Sequence, residues 1–147
     1  MNRISVVAAL LIAASPAALA EEPEDFIKYR QAMMKAIGGH SGAASQIVRG
    51  KVNPEGALGM HANALAELSK DLTSLFPEGS DFGETQAKAE IWSDWAKFEK
   101  AAGDAKTATA AFAEAVAGGD ADRIGAAFKD VGDSCKGCHK AFRQKDD

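Results

Sequence analysis

Five residues near the C-terminus, Cys135-Lys136-Gly137-Cys138-His139, restrict this chain more than any other stretch. C-x-x-C-H is the attachment pattern of a c-type haem. Each thiol adds across one haem vinyl group to form a thioether, and the adjacent histidine becomes an axial ligand of the iron. On a helix of 3.6 residues per turn, positions 135, 138 and 139 fall within about a 100° arc, so all three can face one porphyrin. Two other uses of the pattern fit less well. A thioredoxin-like redox pair requires a βαβ setting, and the sequence shows no convincing strand. A zinc site requires four ligands; His40 and His61 can complete one, but no second close-spaced pair accompanies them.

The N-terminus reads as an export signal. Asn2 and Arg3 precede an apolar run over 4–14, and Ala18-Leu19-Ala20 is a small-x-small cleavage site before Glu21-Glu22. The run is too short to span a bilayer as a mature helix. Residues 1–20 are therefore expected to be a signal peptide that is removed, leaving 21–147 as one domain in the periplasm with no membrane span. Cleavage takes away one charge, Arg3, so the 17 basic and 21 acidic residues become a mature net charge of about −5. That balance disfavours nucleic acid as a partner. A disulfide between cysteines this close would shut a tiny loop and stabilise little.

Apolar residues recur in alternating steps of three and four throughout the mature chain, the pattern of amphipathic helices. The first stretch covers 24–49, with Pro23 where a helix begins. Two stripes compete on it: Phe26, Arg30, Met33, Ile37, Ala44 and Ile47, or Ile27, Arg30, Met34 and Ile37. Gly38-Gly39 is expected to loosen or bend it. Asn53-Pro54 reads as cap and first residue of a second helix, whose seam is Leu58, His61, Leu65, Leu68, Leu72 and Leu75. Pro77, Gly79 and Gly83 mark a loop. The third stretch carries Ile91, Trp95, Phe98, Ala102, Ala105, Phe112 and Val116, ending at Gly118-Gly119, and Asp120 caps the fourth. Ile124, Phe128, Val131, Cys135, Cys138 and Phe142 share the fourth helix's seam, which puts the haem inside. The fold class expected is all-α, an up-down-up-down four-helix bundle enclosing one covalently attached haem.

With these residues in place, the mature chain resembles the class II c-type cytochromes, the cytochrome c′ family. The resemblance rests on Lys28-Tyr29-Arg30-Gln31, on Leu75-Phe76-Pro77, and on Ile91-Trp92. Above all it rests on Val131-Gly132-Asp133-Ser134 running into the attachment motif and on through Lys140-Ala141-Phe142-Arg143. Class I cytochromes carry the motif near the N-terminus instead. The resemblance implies one haem c, with Cys135 and Cys138 as thioether cysteines and His139 as proximal ligand. It implies that Arg143 lies beside the proximal imidazole and that Arg30 approaches a haem propionate. The position four residues after that arginine faces the distal side of the iron. It is usually Leu or another bulky apolar residue in high-spin cytochromes c′, and methionine in the low-spin branch. Here it is Met34, so the resemblance points to the low-spin, methionine-ligated branch. Family members are often homodimers through their first two helices.

The residues support methionine ligation without settling it. A thioether is a soft ligand suited to haem iron, and His/Met ligation raises the potential. Arg30 and Met34, four apart, share one helix face. Met33 competes on the other stripe, and both methionines also suit a core. Trp92 and Trp95 read as core aromatics that can touch the haem, His61 as a buried, hydrogen-bonded histidine, and His40 as solvated. Lys136, Lys140, Arg143 and Lys145 form a basic cluster that is either a solvated face or a means of steering an acidic redox partner. The function expected is one-electron transfer in the periplasm with His139/Met34 ligation. The alternative is high-spin binding of nitric oxide or carbon monoxide at an open distal site. A peroxidase needs distal acid–base groups, and no distal His–Arg pair can be placed, so no enzymatic activity is expected.

Overall fold

In the computed structural model, which describes residues 22–145, five α-helices follow one another with no β-strand among the described residues. The expected leader over 1–20 lies outside the described residues. Helix α1 is Pro23–Val48, α2 is Ala57–Leu68, α3 is the single turn Glu90–Ser93, α4 is Trp95–Gly118 and α5 is Ala121–Phe142. The long helices α1, α2, α4 and α5 make the four-helix bundle that the spacing predicts. Among the described residues no helix is long and apolar enough to cross a membrane.

Several expected boundaries hold for the reasons given. Pro23 is at the start of α1, where its missing N–H costs nothing. The Asp120 carboxylate accepts from the Arg123 backbone N–H at 2.9 Å and caps α5. Gly119, at φ +74°, ends α4 in the left-handed region that a side chain would strain. The Gly38-Gly39 pair, expected to loosen or bend α1, lies within a helix that is continuous to Val48. Others differ. Helix α2 opens at Ala57 behind Gly56 (φ +68°), not at Asn53-Pro54, which turn ahead of it with Ala57 N–H donating to Pro54 O. It also ends at Leu68, so Leu72 and Leu75 leave its seam. There Thr73 and Ser74 hydroxyls donate to the Asp71 side chain and backbone, local bonds that compete with the helix. A 3₁₀ turn, Thr73–Leu75, follows.

The third stretch is broken at Asp94 (φ −131°, ψ 57°), which separates α3 from α4. Ile91, Phe98, Ala102, Ala105 and Phe112 keep their expected burial, but Trp95, in the first turn of α4, is 38% exposed and not a core aromatic. The core has two clusters. One gathers Ala44, Ala62, Leu65, Phe112 and Val131; the other gathers Leu75, Phe76, Ile91, Phe98 and Phe142. Each fully buried large side chain here contributes about 1.5–3 kcal/mol relative to exposure. Helix α4 packs extensively on α5 and on α2, and α2 on α1, while α1 and α5 meet at few points. That thin seam between first and last helix is where the site lies.

Candidate haem site

Between α1 and α5 a cavity of about 650 Å³ is walled by Arg30 and Met34 from one side and by Cys138, His139, Phe142 and Arg143 from the other. Phe76, Ile91 and Phe98 make its floor. Five of the six residues expected at the site therefore line one space. The sixth, Cys135, one turn before Cys138, is half-buried against the neighbouring cluster of Phe112 and Val131. Of the two adjacent methionines, both pack on the aromatic cluster, but Met34 alone is on the cavity wall. The 100° step between neighbours on a helix makes that separation.

Both cysteines are free thiols. Burial pushes the Cys135 thiol up, and burial with the nearby Cys135 pushes Cys138 up to about 11. Protonated thiols are poor ligands for zinc. Among the described residues no three His, Cys, Asp or Glu side chains gather to hold a metal ion, so the zinc alternative has no ligand set. Partial desolvation, and secondarily the charge of Arg143, lowers the His139 pKa. Both effects favour the neutral imidazole that ligates metals.

Arg30 is buried to 3% exposure in a cage built by the loop after α2. Its Nη1 donates to Leu75 O (3.2 Å) and Ser80 Oγ (2.9 Å), and its Nη2 to Ser80 O (2.9 Å) and Thr85 Oγ1 (2.8 Å). Its guanidinium also stands 4.7 Å from the Phe76 ring centre. These bonds commit all four terminal N–H groups to the loop. The same loop is fastened to α5: Lys88 N–H donates to Phe142 O, Gln144 N–H to Gln86 O, and Arg143 Nε to Gln86 Oε1 at 2.9 Å.

Sequence reasoning missed Ser80, Thr85 and Gln86, since hydroxyls and amides in a polar loop carry no signal of a distant arginine. Trp92 donates from Nε1 to Pro77 O at 3.1 Å and, with Trp95, faces an outer groove rather than the cavity. Lys136, Lys140 and Lys145 are exposed as expected. His40 is not solvated: it is half-buried and meets His61, which is hydrogen-bonded as foreseen.

A helical bundle with a Cys-x-x-Cys-His motif on its last helix, opening on an apolar cavity, is the arrangement of a class II c-type cytochrome; cytochrome c′ is itself a standard example of the four-helix bundle. The family model described as Cytochrome C′ matches residues 25–143. A cytochrome c′ of Pararhodospirillum photometricum is 37% identical over 123 residues, covering 83% of this chain and 98% of the relative. The crystal structure of cytochrome c′ from Rubrivivax gelatinosus superposes with a TM-score of 0.79 at 33% identity, covering 84% and 98% of the two chains. The nitric oxide complex of a variant of cytochrome c prime from Alcaligenes xylosoxidans gives 0.78 at 35%, covering 85% and 98%. A carbon monoxide-bound variant of that protein gives 0.78 at 35%, covering 84% and 98%. The chain belongs to the cytochrome c′ family, and its cofactor is one covalently attached haem c.

The residues present fit that group. Two thiols three positions apart and a neutral imidazole stand on one helix, beside a mainly apolar cavity whose far wall bears a thioether and a buried guanidinium.

Proposed function

We propose that this protein is a periplasmic haem protein that binds a diatomic gas, nitric oxide or carbon monoxide, on the haem face that Met34 lines. The haem, when bound, supplies an iron that accepts an axial ligand and changes oxidation state by one electron. Cys135 and Cys138 would hold it covalently, and His139 would ligate its iron. Partial desolvation and, secondarily, the charge of Arg143, which is tied to Gln86, favour the neutral form of that imidazole. Arg30 sets a positive charge against the cavity, where it offsets propionate charge; with its terminal N–H groups on the loop, it acts through that field and through Nε.

The observation that carries the reading is the apolar part of the cavity that His139 also lines. Met34, Leu72, Ile91 and Phe98 contribute to it, apolar side chains that suit a small neutral ligand. Structural relatives at 35% identity hold nitric oxide and carbon monoxide in the same fold. Met34 is unbranched and half-buried, so it can yield to a ligand.

A second reading is favoured by one observation, that Met34 and not Met33 lines the cavity. In it the Met34 sulfur is the sixth ligand and the protein is a one-electron carrier between periplasmic redox partners. The exposed Tyr29, Val52 and Met60, on α1, α2 and the connection between them, support a homodimer in either case. Carbon monoxide titration of the reduced protein separates the readings. A high-spin spectrum that shifts stoichiometrically with gas supports binding. A low-spin spectrum with an iron–methionine band, unmoved by gas, replaces it with the carrier.

A further inference from the structure

The chain has three histidines; His139 belongs to the haem motif, and the other two meet. His40 on α1 and His61 on α2 place their Nδ1 atoms 3.0 Å apart, with ring centres 5.2 Å apart and ring planes inclined at 63°. Both are half-buried, and neither lines the haem cavity. His40 is six residues beyond Met34, about 9 Å further along α1 at the helical rise. We propose that His40 and His61 form a bidentate imidazole site for a divalent transition-metal ion, copper(II) foremost, across the α1–α2 seam.

The spacing suits two cis positions on one ion. At metal–nitrogen distances of about 2.0–2.1 Å, nitrogens 3.0 Å apart subtend about 95° at the metal. A tetrahedral ion needs them about 3.3 Å apart, whereas cis positions of a tetragonal copper(II) or nickel(II) ion need about a right angle. No third His, Cys, Asp or Glu joins the pair among the described residues. Water fills the remaining positions, as suits an ion that does not require four protein ligands. Of the two fitting ions, copper(II) binds nitrogen sites more strongly. The hydrogen bond between the rings requires one Nδ1–H and one Nδ1 lone pair. Binding needs both lone pairs, so the donor ring takes its Nε2–H tautomer. Protonation of either ring opposes binding.

The test is titration of the haem-loaded protein with copper(II), followed by calorimetry and by electron paramagnetic resonance, where copper signals stand apart from ferric haem. One ion per chain with two coupled imidazole nitrogens is the expected result. His40→Gln and His61→Gln, each retaining a hydrogen-bonding side chain, should each weaken binding more than about tenfold, the least that losing even an outer-shell partner costs. Circular dichroism confirms that both variants fold. Equal affinity in wild type and double variant, or a copper signal without imidazole nitrogen coupling, would overturn the site.

Discussion

Arg30→Ala should destabilise the bundle severely although Arg30 touches no carboxylate among the described residues. The guanidinium serves two buried backbone carbonyls, Leu75 O and Ser80 O, and two hydroxyls, on a loop whose later part is fastened to α5. Two carbonyls left without partners cost about 1–3 kcal/mol each, and a lost guanidinium–aromatic contact about 1 kcal/mol more. The hydroxyls lose less, since Ser80 Oγ also donates to Pro77 O and Thr85 Oγ1 also accepts from Ala87 N–H. Burial depresses the Arg30 pKa, so removing the cation returns part of this as relieved desolvation. The net expectation is a loss of about 3 kcal/mol, a fall in Tm of roughly 10 °C for a domain of this size. Thermal unfolding of the haem-loaded protein by circular dichroism measures it. Arg30→Lys should recover less than half, because one ammonium cannot span four acceptors arranged for a fork. Lys28→Ala, removing only exposed pairs with Glu24 and Asp25, should leave Tm nearly unchanged. A loss below about 1 kcal/mol for Arg30→Ala, or full recovery by lysine, would refute the claim that this side chain holds the loop.

Other expectations follow from single features of the site and its helices. Asp120→Ala removes the cap on α5 and should cost about 1 kcal/mol, read as a lower denaturant midpoint. Replacing Cys135 and Cys138 together by Ala should leave the polypeptide at its unmodified mass after production with haem-attachment machinery, whereas the wild type gains one haem. Lys136, Lys140 and Lys145 are exposed around the attachment motif. Electron exchange with an acidic partner should slow as salt rises, and slow further at low salt when Lys136 and Lys140 are reversed to Glu. Rates insensitive to both would make these lysines a solvated face.

Much of this was legible in the residue pattern, and the illegible parts share a cause. Steps of three and four mark a buried helical face whatever lies opposite, so α1, α4 and α5 could be read from the chain alone. The motif fixed Cys138 and His139 on one face of α5 because helix geometry is local. What could not be read depends on neighbours far along the chain. The Asp94 break moves Trp95 to the rim although its spacing from Phe98 suits a core position. Asn53-Pro54 carries every sign of a helix start, yet Gly56 provides the left-handed turn from which α2 departs. Arg30 belongs to both stripes of α1, and only the fold shows that Ser80 and Thr85, fifty or more positions later, complete its bonding. His40 looks solvated on its own helix and becomes half of a pair once α2 returns beside it.

The spectra of Met34→Leu and Met33→Leu, measured beside the wild type in the oxidised state and again reduced under carbon monoxide, test the central claim most directly. The substitution conserves volume, so both variants should fold. If the haem face that Met34 lines is a gas site, the wild type is high-spin and binds carbon monoxide. Met34→Leu then changes gas affinity, and Met33→Leu, off the cavity wall, leaves it unchanged. A low-spin wild type that ignores carbon monoxide, and becomes high-spin and gas-binding only in Met34→Leu, would contradict the gas-binding account and establish the methionine-ligated electron carrier.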